Sequence, residues 1–253
     1  MRIEIPPVGI DEPMKRNDIW LQRCRDFLFT KPCLGCGALL DVFSSGLFCK
    51  ECLKTVERTG YLFENFYGAG LLSVYAYSGA IRRAVHAFKF RGDERCGAYL
   101  AEELRKLLES HAFDLIVYVP CFRLKGGRKY NSAEWIARRL SRTLGIPVGE
   151  GVLRKTRDAA SQTRQKSRAA RFRNVSGLYR VHRDKKSLVS GKKVLLVDDI
   201  STTGATLSVC IGALSDAGAA GICAAVIART EKGARNYKRL VYPNLRYHVK
   251  EVL

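Results

Sequence analysis

The chain has 253 residues, 47% of them hydrophobic, and a net charge of +20. That length suits one good-sized α/β domain with a small module, and the apolar fraction is that of an ordinary globular protein. The first residues are polar and charged, without the apolar stretch of a signal peptide, and no apolar run approaches the roughly 20 residues that span a bilayer. Membrane insertion is therefore excluded from the reading, and a soluble cytoplasmic protein is expected.

The charge is uneven. Residues 1–60 hold nine Lys/Arg against eight Asp/Glu, whereas residues 154–186 hold twelve against two. Half of the excess sits in 33 residues, which points to an anionic partner, either pyrophosphate or nucleic acid.

In chain order, residues 1–19 are expected to be poorly ordered, since Pro6, Pro7, Gly9 and Pro13 break regular structure. Packing is expected from Trp20, Phe27, Leu28 and Phe29. Cys33-Leu34-Gly35-Cys36 and Cys49-Lys50-Glu51-Cys52 then form two CxxC pairs twelve residues apart. Each pair is a knuckle that can offer two thiolates to one tetrahedral Zn2+, and four sulfur ligands would make that zinc structural. Two disulfides, or cysteines left from a lost site, are the alternatives. Nine cysteines, an odd count with four at metal spacing, fit a reducing compartment better than a disulfide scaffold. Residues 20–60 are thus read as a zinc module and 61–253 as the main domain.

Leu71 to Tyr77 is rich in β-formers. Ser78 is a candidate cap for a helix with Ile81, Val85 and Phe88 on one face and Arg82, Arg83, His86 and Lys89 largely on the others, ending at Gly92. Glu94 to His111 reads as a second helix with Leu100, Leu104, Leu107 and Leu108 on its apolar side. Asp114 to Val119 reads as a buried strand. It leads into Pro120-Cys121-Phe122-Arg123 and the basic, glycine-containing stretch Lys125 to Lys129, a candidate anion site or a solvated loop. Asn131 is placed to cap a helix carrying Ile136, Ala137 and Leu140. Ile146 to Val152 suggests another strand. Residues 154–186 show little periodicity, and a long irregular segment inside a compact domain is usually a lid or a disordered stretch.

Val194 to Val197 is an unbroken apolar run, fitting a strand buried on both faces of a parallel sheet. Asp198 and Asp199 stand at its carboxyl end, where ligands of open α/β sheets bind. Ser201, Thr202, Thr203, Gly204, Ala205 and Thr206 then lead into a helix with Leu207, Val209, Cys210, Ile211 and Leu214. Free backbone N–H groups and the helix dipole suit a phosphate monoester there, and Gly204 allows close approach. The carboxylates cannot bind phosphate; sugar hydroxyls or a Mg2+ brought by the ligand would suit them. The pattern asks for a sugar phosphate with a metal. A plain strand end and helix cap would not require the whole ordered set. Neither a Walker A pattern nor GxGxxG occurs in the chain. Gly221 to Ala228 is a further buried strand, and 229–253 carries no clear pattern.

The stretch Val194 to Thr206 resembles the signature of type I phosphoribosyltransferases, which bind phosphoribosyl pyrophosphate (PRPP). The resemblance implies that Asp198 and Asp199 contact the ribose hydroxyls and that Ser201 to Thr206 hold the 5′-phosphate. More widely, the four-cysteine knuckle, YSGAIRRAVHAFKFRGD, the VP turn at 119–120, RKYNSAEWIA, and Arg154 to Arg173 occur in the order of the ComF/GntX-type phosphoribosyltransferase-like proteins. That family is linked to DNA uptake in competent bacteria. Where it usually has Arg-Gly-Phe-Asn-Gln, this chain has Arg128-Lys129-Tyr130-Asn131-Ser132.

The resemblance implies an α/β fold of type I phosphoribosyltransferase-like architecture, a parallel sheet flanked by helices behind a small zinc module. It makes Val119, Pro120, Cys121, Phe122 and Arg123 the pyrophosphate loop. It makes Arg154 to Arg173 the closing loop, with Arg164 and Arg168 as catalytic candidates beside Asp198 and Asp199. Zn and Mg are the expected metals. PRPP is the expected ligand, with phosphoribosyl transfer to an unidentified acceptor and release of pyrophosphate. The alternative is a non-catalytic protein that binds single-stranded or duplex DNA, with competence-machinery proteins as partners. The sequence leaves the oligomeric state open.

Overall fold

The computed structural model describes residues 31–40, 47–121, 130–156 and 178–230, and for 60–66 the backbone alone. The N-terminal stretch through Phe29, the loop positions Phe122 to Lys129, residues 157–177 with Arg164 and Arg168, and the tail from 231 lie outside the described residues. No helix among the described residues is long and apolar enough to cross a membrane.

A five-stranded sheet organises the molecule. It comprises β1 (Arg58–Phe66), β2 (Ala69–Ala76), β3 (Leu115–Tyr118), β6 (Lys193–Ser201) and β7 (Gly221–Arg229), in the order β1-β2-β7-β6-β3. β1 pairs antiparallel with β2, and all other pairs are parallel. The carboxyl ends of β2, β7, β6 and β3 therefore open on one edge, the edge that binds ligands in open α/β sheets.

Strand alternation divides the core into two layers. Leu195, Val197, Cys223, Ala225 and Ile227 face one side, with Ile116. Val194, Leu196, Ile222, Ala224 and Val226 face the other, with Leu115 and Val117. Because both faces are covered, β6 reads as a continuous apolar run, and Val194 to Val197 are fully buried.

The first layer is covered by α2 (Gly79–His86), a π-helical turn (Ala87–Arg91), α3 (Glu94–Leu108) and α4 (Ser132–Leu144). In α2, Ile81, Ala84 and Val85 are buried while Arg82, Arg83 and His86 are exposed, the 3.6-residue period of an amphipathic helix. The π-turn buries Phe88 and ends at Gly92 with φ 71°, a left-handed conformation that glycine adopts without a Cβ penalty. Asp93 caps α3 by accepting from the N–H groups of Arg95 and Cys96. Asn131 caps α4 as expected, accepting from Ala133 N.

The short helix α1 (Lys50–Leu53) belongs to the cysteine module. Cys33, Leu34, Leu40, Phe48 and Cys52 of that module lie in the same buried cluster as α2 and α3. On the second layer, α6 (Ala205–Asp216) packs Leu207, Cys210, Ile211 and Leu214 against the sheet.

Three expectations change. Ser78 holds the cap position of α2 but makes no side-chain cap bond. The module supplies it instead, with Thr55 Oγ1 accepting from Ala80 N at 3.0 Å. Ile146 to Val152 is no full strand. Val148 alone forms a parallel bridge with Ile116; Pro147 lacks an N–H, and Gly151 turns the chain at φ 61°. Finally, 154–186 is not irregular throughout. Its two ends pair antiparallel as β4 (Leu153–Lys155) and β5 (Tyr179–Val181), followed by a 3-10 turn and α5 (Lys186–Val189). Leu153, Tyr179 and Val181 are buried, while Arg154 and Arg180 point to solvent. In so short a ladder the basic residues hide the alternation.

Glu103 is a buried carboxylate of α3, 6% exposed, which accepts from Arg58, Tyr75 and Lys106. Burial alone would raise its pKa; the Lys106 and Arg58 cations and the Tyr75 hydroxyl outweigh it and hold the carboxyl below its ordinary value. The unfolded chain therefore binds more protons in the acid range, and Glu103 contributes stability above its unfolded pKa of about 4.3 that is lost as pH falls through the native value. Glu103→Gln should unfold more easily at neutral pH and lose less stability on acidification, as read from urea midpoints between pH 3 and 7.

Candidate functional site

The site lies where β6 and β3 end. Val197 is buried, Asp198 is half-buried and Asp199 is 6% exposed. Asp198 Oδ1 accepts from Asp199 N at 2.9 Å, which fixes the Asp198 side chain near the end of the strand. Asp199 turns inward. Its Oδ1 lies 2.6 Å from Lys89 Nζ on the π-turn, and its Oδ2 accepts from Ser132 Oγ in the first turn of α4. Lys89 and Asp199 side chains are 11% and 8% exposed, so the pair is largely desolvated and the hydrogen bond charge-assisted.

The sequence alone did not point to Lys89 or Ser132 as site residues. Lys89 fell on a helix whose other charges face solvent. Its inward turn comes from the π-helical geometry, a distortion that often marks functional positions. That turn is held from outside, since Tyr130 Oη donates to the Phe88 carbonyl at 2.7 Å.

Ser201 is buried, Thr202 and Thr203 are exposed, and Gly204 precedes α6 with φ 74°. Thr203 Oγ1 accepts from Ala205 N at 3.4 Å, and Thr230 ties the loop from β7, donating from N to Ser201 O and from Oγ1 to Thr202 O. Both ends of the loop are thus anchored, and the start of a twelve-residue helix faces the strand edge.

The neighbouring turn begins at Val119, whose N–H donates to Val197 O at 3.0 Å and whose carbonyl accepts from Asn131 Nδ2 at 3.1 Å. The structure thus brings Val119, Pro120 and Cys121 beside the acid pair, while Phe122 and Arg123 lie outside the described residues. A cavity of about 670 Å3 opens beside this turn, between Tyr130, Trp135 and Leu153.

The four cysteines form a second centre. The Sγ atoms of Cys33, Cys36, Cys49 and Cys52 lie within 4.8 Å of one another. Backbone N–H groups point at the sulfurs: Gly35 and Cys49 donate to Cys33 Sγ, each at 3.3 Å, and Cys52 donates to Cys49 Sγ at 3.4 Å. A Cβ on Gly35 would sit 2.7 Å from Cys52 Sγ, so only glycine fits this knuckle.

Burial works against ionisation of Cys33, yet the N–H groups of Cys49, Cys36 and Gly35 bring its pKa down to about 6. Cys52 is pushed up to about 12, first by burial and then by the neighbouring thiols, against the pull of Arg83. One thiolate forms readily and resists the next, and a divalent cation would remove that repulsion. The donor set, spacing and hydrogen bonds fit a tetrahedral thiophilic metal.

Residues 131–246 match the family model of the phosphoribosyl transferase domain, from the cap of α4 onward. No curated protein matches the chain. Among solved structures, the chain is similar to the glutamine PRPP amidotransferase of B. subtilis, with 23% identity over 52% of this chain and 26% of that one, at a TM-score of 0.36. It is similar to an adenine phosphoribosyltransferase from Thermoanaerobacter pseudethanolicus, with 21% identity over 54% and 68% of the two chains and a TM-score of 0.35. For a purine phosphoribosyltransferase from Pyrococcus horikoshii Ot3 the identity is 28%, the coverage 55% and 82%, and the TM-score 0.31. The chain spans about a quarter of the amidotransferase. All three TM-scores lie below 0.5. The fold assignment rests on the strand order and the domain match, which together give the type I phosphoribosyltransferase-like architecture expected from the sequence.

The Lys89–Asp199 pair can be tested by itself. Lys89→Met should cost about 3 kcal/mol, because it strands a buried carboxylate. Adding Asp199→Asn should recover part of that loss, a coupling readable in a double-mutant cycle of urea unfolding.

Proposed function

We propose that the protein transfers the phosphoribosyl group of PRPP, with Mg2+, to an acceptor nucleophile and releases pyrophosphate. The observation that carries this reading is the acid pair at the end of β6, followed by a loop tied at both ends that opens α6, inside the span that matches the phosphoribosyl transferase domain. The 5′-phosphate would take the N–H groups of Ser201 to Thr206 and the positive end of α6. Asp198, half-buried near the carboxyl end of β6, would accept from the ribose hydroxyls. Asp199, already held by Lys89 and Ser132, would set the orientation of Asp198 and reach the sugar only on exchanging a partner.

A bound Mg2+ would neutralise pyrophosphate charge as the C–O bond breaks. The chain's part is to hold the sugar, to exclude water and to place cations near the leaving group. Val119 to Arg123 would contact the pyrophosphate. Arg164 and Arg168 would close over it, carried on the segment that β4 and β5 anchor at both ends. The four cysteines would hold one structural zinc.

Two measurements bear on this reading. Calorimetry should show Mg2+-dependent binding of PRPP, weakened at least about tenfold by Asp198→Asn, which keeps the shape and loses the charge; equal affinity in the variant would overturn the assignment. Anaerobically purified protein should hold about one zinc per chain, and Cys36→Ser should lower both the zinc content and the melting temperature. A metal-free protein with unchanged stability would remove the zinc reading.

A further inference from the structure

A concentration of exposed cations lines a groove apart from the acid pair. A groove of about 740 Å3 runs between the first cysteine knuckle, residues 32–37, and the α2–π-turn–α3 corner. Arg82, Arg83 and His86 reach it from α2, Arg91 from the π-turn and Arg95 from the first turn of α3, and all five are exposed.

The bland account is that these cations balance the cysteine cluster, whose thiolates with a divalent metal would carry about two negative charges. Arg83 does fit that account, since Nε donates to Gly35 O and Nη2 to Cys52 Sγ at 3.4 Å. Arg95 partly fits it, donating to Pro32 O at 3.4 Å and standing 3.7 Å from Asp93. Asp93, the groove's carboxylate, is committed to capping α3. Arg82 and Arg91 remain. Their side chains make no hydrogen bond or ion pair among the described residues, and both line the same concave space from two different elements.

We propose that this groove binds a small phosphorylated ligand, a phosphate monoester or pyrophosphate, between Arg82 and Arg91. Two guanidinium forks from different elements can share the oxygens of one phosphate group, which a carboxylate would satisfy less well. The space is bounded on the knuckle side and has the size of a small-molecule site, which favours a compact anion over a long polyanion needing an open stripe of charge. The backbone that presents Arg91 is fixed by buried Phe88 and by left-handed Gly92, so the point from which its side chain reaches is set before a ligand arrives.

The test is calorimetry of the full-length protein with inorganic pyrophosphate and, separately, with a nucleoside monophosphate, both without divalent metal. Two classes of site are expected. Arg82→Gln with Arg91→Gln should weaken one of them about thirtyfold, the loss of charge-assisted hydrogen bonds from two arginines. Thr203→Asp, which places a negative charge in the loop before α6, should weaken the other. Arg82→Lys with Arg91→Lys should recover only part of the groove's affinity, because an ammonium keeps the charge but lacks the fork. Zinc content and melting temperature should stay at the wild-type values in both arginine double variants, because neither arginine holds the fold.

If the Arg82/Arg91 Gln variant leaves both sites intact, the groove is not a phosphate site. If Thr203→Asp leaves both intact while the arginine variant loses one, the groove stands and the PRPP reading fails. If a twelve-nucleotide single strand binds through Arg82 and Arg91, with a salt dependence of several phosphates, while pyrophosphate does not, the small-ligand assignment is overturned.

Discussion

Asp199 cannot be buried alone. A carboxylate with 6% of its surface exposed, at the end of a strand covered on both faces, needs a cation and hydrogen-bond donors. Lys89 and Ser132 supply them, and in doing so they join the π-turn, the first turn of α4 and the end of β6 at one point. The rest of the site is arranged around that junction. Asn131, next to Ser132, holds the Val119 carbonyl, and Tyr130 holds the carbonyl of Phe88, the residue before Lys89. Two turns from different parts of the chain are thus fixed relative to the acid pair by three consecutive residues.

The π-turn is what allows Lys89 to serve. Had α2 continued with α-helical spacing, residue 89 would fall near the face of Arg82 and His86 and point outward. The wider turn lets Phe88 pack among Tyr130 and Trp135, at ring separations of 5.4 and 5.1 Å, and lets the next side chain reach the sheet edge. Gly97 completes the fit. A Cβ there would stand 2.3 Å from the Phe88 ring, so α3 can approach only because that position lacks a side chain.

The cysteine module is held to the domain by specific bonds. Thr55 caps α2 across the interface, Arg83 answers from α2 to Gly35 O and Cys52 Sγ, and the buried residues of both parts form one cluster. The cysteines therefore organise the residues that begin α2, and α2 runs directly into the turn that carries Lys89. The cysteine cluster is thus linked to the acid pair through hydrogen bonds to α2 and, beyond it, the Lys89–Asp199 ion pair. The same corner displays the cations of the groove.

The sequence by itself determined the parallel strands and the position of the acid pair. A strand buried on both faces must be apolar throughout, and the acidic pair and the small hydroxyl residues that follow it mark where that strand ends and a helix begins. The CxxC spacing likewise placed four sulfurs together, because each knuckle is closed by local turns. What the tertiary structure decided depends on partners distant in sequence. Asp199 finds its cation 110 residues away, and α2 takes its cap from a threonine 25 residues earlier in place of the adjacent Ser78. β4 and β5 lie too far apart, and carry too many arginines, for their short alternation to stand out. The π-turn has no signature in residue type at all. It follows from the packing of Phe88 against α3 and α4, which no local propensity encodes.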